Sequence, residues 1–482
     1  MLNIRATLRF LGRLLLVLAA AELLPTVCCL LYGEFHAALG FLATAGITGA
    51  LGWLATRIPD KTGELYRREG ILIVVCGWIL ASLFGALPYV LTGTLEPMDA
   101  LFESTSGFTT TGATVMTDIE SSGRGILFWR SFSQWLGGMG IIVLFVALLP
   151  ELGPGARFLY QLEVPGPTAE TLRPRVRDTA VILWRIYLLL SGVLVVLLML
   201  LGLDLYDALT HTFSTLSSGG FSPYNASIAA FDSIWVELVI IVFMILAGTN
   251  FSLYYGLRHT RGRNFLRDPE FKIYLLVIFG VSTAIAIDLM IEGRYTHGGQ
   301  AFLDSLFHVL SVLTTTGFVT VDYDVWPSVS RALMICLMFM GACAGSTSGG
   351  QKIMRLVVGF KSALREVRQV FSPSTVLAVF VGGKAVPDTV VRSVAGFSIL
   401  YLFFWVLGTL LLSIGGLDIE TAASASIATL GNVGPGLHEV GPTGNFSFFA
   451  SWQKLVMVVL MWLGRLELYA ITAVATLAFW RR

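Results

Sequence analysis

About ten stretches of some 20 mostly apolar residues run along this chain, near 8–32, 36–56, 69–93, 126–150, 179–203, 233–257, 271–292, 329–358, 389–414 and 450–479. A helix needs about 20 such residues to cross the hydrocarbon core of a bilayer. Inside lipid the backbone must satisfy its own hydrogen bonds, so the expected fold is all-α and integral to a membrane. The stretch at 329–358 is interrupted by glycines. Composition agrees: 55% of the 482 residues are hydrophobic and 13% charged, unlike a soluble domain. A net charge of +1 lacks the basic excess that a nucleic-acid partner requires. The five cysteines (Cys28, Cys29, Cys76, Cys336, Cys343) show neither CxxC nor Cys/His zinc spacing, which points to packing roles.

Arg5, Arg9 and Arg13 before Leu14–Ala21 give the start the look of a secretory signal. Glu22 and Pro25 then lead into more apolar sequence through Tyr32 without a small-residue cleavage site, which reads as a retained first helix. Loops near 57–68, 157–185, 258–272 and 352–392 carry the basic residues, among them Arg57, Lys61, Arg67, Arg68, Arg173, Arg175, Arg258, Arg261, Arg263, Lys361, Arg365 and Arg368. Alternate loops carry acids, including Glu96, Asp99, Glu103, Asp118, Glu120, Asp204, Asp207, Asp304, Asp324, Asp418 and Glu420. The positive-inside rule places both termini in the cytoplasm and the acidic loops outside.

Those acidic loops repeat one pattern. A short amphipathic segment (Met98–Gly107, Tyr206–Leu216, Ala301–Leu313, Thr421–Leu430) runs into a turn of small hydroxyls and glycine. The turns read Thr109-Thr110-Thr111-Gly112, Leu216-Ser217-Ser218-Gly219, Thr314-Thr315-Thr316-Gly317 and Ala428-Thr429-Leu430-Gly431-Asn432. Aligned on Gly112, Gly219, Gly317 and Gly431, they stand 107, 98 and 114 residues apart, an internal repeat. The expected organisation is a two-helix hairpin over 1–60 followed by four parallel helix–pore-helix–helix units at 69–150, 175–258, 270–358 and 389–480 around a pseudo-fourfold pore.

A dehydrated cation needs oxygens in place of its hydration shell, and rings of carbonyls and hydroxyls provide them. Glycine reaches the dihedrals that turn carbonyls inward at little steric cost. The negative end of each half-helix favours a cation at the turn, and the outer acids concentrate cations nearby. Candidate filter residues are Thr110, Thr111 and Gly112; Ser217, Ser218 and Gly219; Thr315, Thr316 and Gly317; and Thr429, Leu430, Gly431 and Asn432. A Thr-Gly or Ser-Gly pair taken singly is an ordinary loop turn. Four at matching places are not.

Two further features stand inside apolar stretches. Gly341-Ala342-Cys343-Ala344-Gly345-Ser346-Thr347-Ser348-Gly349-Gly350 should unwind its helix at mid-membrane, as a flexible gate or as a close-packing patch. Its presence in the third unit favours the gate. Gln351 before Lys352 breaks the order of a phosphate loop. Arg465 with Glu467 marks either the pathway or a local ion pair, because intramembrane charges are costly. The six histidines lack ligand spacing.

At these motifs the chain resembles the Trk/Ktr/HKT superfamily of potassium transporters, most closely the TrkH branch with its extra N-terminal hairpin. The resemblance rests on Thr-Thr-Thr-Gly in units one and three, Ser-Ser-Gly-Gly-Phe-Ser in unit two, Gly-Asn-Val-Gly-Pro-Gly-Leu in unit four, Ala-Gly-Ser-Thr-Ser-Gly-Gly-Gln-Lys, and Gly464-Arg465-Leu466-Glu467. It implies that the four turns form a potassium filter, and that Gly341, Gly345, Ser346, Thr347, Ser348, Gly349 and Gly350 form an intramembrane gating loop beside Arg465. It further implies a homodimer in a prokaryotic cytoplasmic membrane, K+ as substrate ion with no bound cofactor, and a cytosolic nucleotide-binding regulator of the TrkA type. Ala342 and Gln351 depart from the glycine and apolar residue usual in that loop, and Leu430 interrupts the hydroxyl pattern. A serine at the first filter glycine goes with sodium transport in the HKT branch; Gly112 favours potassium over that alternative. A membrane-embedded enzyme would need converging catalytic groups, which the scattered histidines and the Arg465/Glu467 pair do not supply.

Overall fold

The computed structural model describes residues 2–59, 66–140, 176–260, 267–372 and 377–481. The far half of the stretch at 126–150, and with it Lys61, Arg173, Arg175, Arg261 and Arg263 of the basic loops, lies outside the described residues. Among the described residues six helices are long and apolar enough to cross a bilayer. Two form the N-terminal hairpin, Ile4–Leu31 and Phe35–Thr56. The other four lead the repeats: Arg67–Leu91, Val176–Leu200, Pro269–Ile291 and Asp388–Ser413. Their exposed positions are large and apolar, such as Leu189, Leu276 and Ile399, as a lipid-facing surface demands.

Each leading helix is followed by a pore helix too short to span: Pro97–Phe108, Leu205–Ser217, Gly298–Leu313 and Ile419–Leu430, of 12, 13, 16 and 12 residues. Local chemistry starts them. Pro97 takes the first helical position, while Asp204 and Asp418 accept from the amides of Asp207 (2.7 Å) and Thr421 (2.9 Å).

The trailing helices were expected to be continuous except in repeat 3. In the structure the other described ones break too: Ile234–Ala247 gives way to Phe251–Thr260, and Ser451–Arg465 turns by 117° into Tyr469–Ala475. In repeat 3, Ser328–Met338 and Ile353–Phe371 flank the glycine run, and in repeat 1 the helix Arg124–Gly138 stops before a left-handed Gly140. Close crossing is the cause. A Cβ on Gly137 would fall on the carbonyl of Phe108, and one on Gly464 on the carbonyl of Leu430, so glycine is needed where the trailing helices of repeats 1 and 4 meet their own pore helices. Mean hydropathy over 20 residues does not register such a point.

Each trailing helix packs on the next repeat's pore helix, and that of repeat 4 returns to repeat 1, so the four units close a ring. The hairpin helices cross at Gly12 and Gly52, each against the other's backbone carbonyl. Between them Glu34 accepts from the amides of Arg124 (2.6 Å) and Gly125 (3.0 Å), a carboxylate capping the trailing helix of repeat 1.

Candidate ion-conduction site

Past each pore helix the backbone enters the left-handed region twice, two residues apart. The pairs are Thr110 (φ 56°) and Gly112 (82°), Ser218 (57°) and Gly220 (74°), Thr315 (57°) and Gly317 (80°), and Asn432 (54°) and Gly434 (99°). Hydrogen bonds keep the same step: the amides of Thr110, Ser218, Thr315 and Asn432 donate to the carbonyls of Gly107, Thr215, Val312 and Thr429. The conformational register therefore aligns Gly112, Gly220, Gly317 and Gly434.

This shifts the alignment read from the sequence in two repeats. Gly219 takes the middle position beside Thr111, Thr316 and Val433, and Gly431 falls with Thr109, Ser217 and Thr314. Thr429 lies back in its pore helix, where its hydroxyl donates to the carbonyl of Ala425 (2.7 Å). Leu430 is no departure, since Phe108, Leu216 and Leu313 hold the same fully buried place. The reason is steric. Glycine is obligatory only at the second left-handed site, whereas Thr, Ser or Asn occupies the first. A left-handed β-branched residue is unusual, and such strain collects at functional sites.

The second site has no room for a side chain. A Cβ on Gly112, Gly220, Gly317 or Gly434 would sit under 3.0 Å from the carbonyl oxygen of Gly219, Thr316, Val433 or Thr111 respectively. Each contact joins one repeat to the next, and the fourth closes the cycle. These same four glycines line a cavity of about 150 Å³ on one side of the loops. A second cavity of about 60 Å³ is lined by Gly138, Gly345, Gly349, Lys352, Gly464 and Arg465. The four loops stand between the two, with carbonyls and hydroxyls of the kind that replace a cation's water.

Seven residues before each first left-handed site stand Glu103, His211, His308 and Ala425. The three polar side chains among them tie down the segment that follows each left-handed turn. Glu103 accepts from Thr114 Oγ1 (2.9 Å) and the amide of Val115 (2.9 Å). His211 Nε2 meets Ser222 Oγ (3.1 Å), and the amide of Thr320 donates to His308 Nε2 (3.3 Å). These two histidines, unassigned from sequence, thus acquire positioning roles that only the repeat register could have signalled. Glu103 also pairs with buried Arg130 (2.7 Å), whose Nη1 donates to the carbonyl of Ser222 in repeat 2 (3.1 Å).

Several acids of these loops hold them together. Asp118 and Glu120 take the side-chain and backbone N–H of Asn225 (2.9 and 3.0 Å), and the Asn225 amide holds the Asp118 carboxyl below the usual carboxylate range. Arg331 reaches Glu420 (3.2 Å), and Asp324 accepts from the amide of His438 (3.0 Å), joining repeats 3 and 4.

Beside the four loops lies the glycine run. Met340 and Gly341 pair in parallel with Gln351 and Lys352, closing residues 342–350 into a loop with left-handed Gly345 and Gly350. Glu270 pins both ends, accepting from the amides of Ala344 (2.8 Å) and Met354 (3.2 Å). The serines brace it: Ser346 Oγ donates to the carbonyl of Cys343 (2.6 Å), and Ser348 Oγ accepts from the amide of Ala342 (3.2 Å). Gln351 ties it to Ser398 of repeat 4 (2.5 Å), and buried Lys352 donates to the Ser348 carbonyl.

All four first left-handed residues meet this assembly. Thr110 Oγ1 accepts from Arg465 Nη1 (3.1 Å), Ser218 Oγ bonds Thr347 Oγ1 (2.9 Å), and Thr315 Oγ1 accepts from the amide of Gly349 (2.7 Å). Asn432 Nδ2 donates to Thr111 Oγ1 (2.9 Å), and its Oδ1 lies 2.7 Å and 3.3 Å from the points where Cβ atoms of Gly464 and Gly349 would stand. Arg465 also donates to the carbonyls of Thr347 (3.0 Å), Gly137 (2.6 Å) and Gly138 (2.9 Å). Glu467 takes Arg355 as an ion-pair partner.

The model of the TrkH family, described as cation transport proteins, matches residues 35–479. The Trk system potassium uptake protein TrkH of Halomonas elongata is 40% identical over 490 residues, covering all of both chains. TrkG of Escherichia coli K12, likewise described as a Trk system potassium uptake protein, is 38% identical over 485 residues, with 99% of each chain covered. Among solved structures, that of the potassium transporter TrkH from Vibrio parahaemolyticus superposes with a TM-score of 0.89 at 36% identity, over 100% of both chains.

Proposed function

Since the chain belongs to the TrkH family of cation transport proteins, we propose that it carries potassium into the cell across the cytoplasmic membrane. The observation that carries this reading is the closed cycle in which each repeat's left-handed glycine abuts the next repeat's carbonyl. A ring so built holds oxygens around one axis at fixed spacing, which is what discrimination between cations requires. Gly341–Gly350 with Arg465 acts as the gate. It meets the hydroxyl-bearing mouth of the filter in repeats 1, 2 and 3 and abuts Asn432 in repeat 4. A fixed positive charge at that mouth opposes a permeating cation.

The same reading places both termini in the cytoplasm and includes a homodimer and a cytosolic nucleotide-binding regulator of the TrkA type. The exposed apolar run Phe360, Leu364, Val367 and Phe371 offers a surface for the second copy, and Lys361, Arg365 and Arg368 offer one for the regulator.

One observation favours a weakly selective or sodium-conducting pore: repeat 4 contributes Asn432 and Val433 where repeats 1 and 3 contribute two threonines. Uptake of potassium, rubidium, sodium and lithium by purified protein in liposomes separates the two readings. Potassium and rubidium should exceed the others, and Gly112→Ser should narrow the gap. Equal uptake of sodium by the unaltered protein would replace the potassium reading with the second.

A further inference from the structure

The middle residue of three filter loops is β-branched: Thr111, Thr316 and Val433. Such side chains narrow backbone freedom. In repeat 2 this place belongs to Gly219, the residue type with the most freedom to lose. A Cβ built on Gly219 would land in the side-chain amide of Gln134, 2.7 Å from Oε1 and 2.8 Å from Nε2. Gln134 belongs to the trailing helix of repeat 1 and is fully buried. Its Nε2 donates to the carbonyl of Gly219 (2.6 Å), and its Oε1 accepts from the amide of Phe221 (3.1 Å).

Two other trailing helices show what stands at this place elsewhere. Gly137 and Gly464 each abut the carbonyl that ends their own pore helix, so Met461 matches Gln134, three residues back. Gly138 and Gly248 each abut the next repeat's loop, at Ser217 and Thr314, so Met244 matches it four residues back. Met244 serves a loop that has Thr316, and Met461 a loop that has Thr111. The glutamine stands where the loop it serves has a glycine.

We propose that Gln134 is a selectivity-positioning residue, a side chain lent by repeat 1 that replaces the one Gly219 lacks. It fixes the Gly219 carbonyl, the same oxygen that abuts Gly112 in the ring. Both functions of a β-branched residue are thereby supplied from outside the loop: the space is filled, and the two backbone groups flanking Gly220 are held by hydrogen bonds. The inference rests on the filter reading above.

The test is the potassium-to-sodium uptake ratio of full-length protein in liposomes. Gln134→Met keeps the volume and removes both hydrogen bonds. The ratio should fall about fivefold, the factor corresponding to one ordinary net hydrogen bond. Gln134→Ala combined with Gly219→Thr puts the missing side chain back into the loop, and should recover most of the ratio that Gln134→Ala loses. A merely structural glutamine would not give that rescue. A monodisperse Gln134→Met protein with the wild-type ratio overturns the proposal, as does a double variant that fails to fold or discriminates no better than Gln134→Ala. Gly317→Ser serves as control. If it too leaves the ratio unchanged, the filter reading itself has failed, and not the role of Gln134 alone.

Discussion

Gly434→Ala separates the structural register from the one that the hydroxyl-glycine motif suggests. Gly434 has φ 99°, and its added methyl would lie 2.6 Å from the carbonyl oxygen of Thr111 and 3.1 Å from the carbonyl carbon of Gly112. An L-residue held on the left-handed side costs about 1–2 kcal/mol. Forcing a methyl into a filled site costs about 1–3 kcal/mol more. Together these put about 2–5 kcal/mol of strain on the Thr111 carbonyl, on the opposite side of the repeat boundary. Gly431 differs: its backbone is right-handed (φ −78°), and a methyl there meets two carbonyl oxygens at 2.9 Å, those of Ile427 and Met338. Only the packing cost applies, and it falls outside the ring. Tracer uptake of potassium and sodium into liposomes should therefore show Gly434→Ala losing discrimination by about tenfold or more, since each 1.4 kcal/mol is a factor of ten. Gly431→Ala should stay close to wild type. The opposite order, with Gly431→Ala unselective and Gly434→Ala normal, would refute the structural register.

Arg465→Ala removes a positive charge about 6 Å from a cation at the Thr110 hydroxyl, a repulsion of roughly 3 kcal/mol at an effective dielectric of about 20. Liposome flux should rise at least about tenfold, with the potassium-to-sodium ratio kept within about twofold; stable protein conducting no faster than wild type would sink the gate. Arg130→Met strands the buried Glu103 carboxylate and should cost about 3–5 kcal/mol of stability. A thermal aggregation curve that matches the wild type would show that this pair does not hold the filter loops.

The apolar stretches made the membrane fold legible because lipid imposes one period and one length on every crossing. Four-part symmetry was legible from Thr-Thr-Thr-Gly, since the same loop conformation recurs with similar residues in repeats 1 and 3. Repeats 2 and 4 misled at the level of single residues. Ser-Ser-Gly-Gly contains two glycines, and only φ tells that Gly220 is the obligatory one. In Leu430-Gly431-Asn432-Val433-Gly434 an asparagine holds the place of a threonine, so matching on hydroxyl chemistry slid the alignment back by three. Glu103, Gln134 and Glu270 gave no motif. Their significance lies in partners 11 to 87 residues away, reached only once the chain is folded. Arg465 was legible because a charge deep in an apolar stretch demands a reason.

The ring is finished by its last member. Asn432 Nδ2 donates to Thr111 Oγ1 across 321 residues of sequence, and Gly434 rests on the carbonyl of Thr111. A chain emerging from the ribosome therefore holds three of the four loops with one side of the ring missing, and the wall that completes it arrives with the final helices. Until then no closed circle of loop oxygens exists. On the proposed reading, a truncated or stalled product would therefore lack a closed pore by geometry alone.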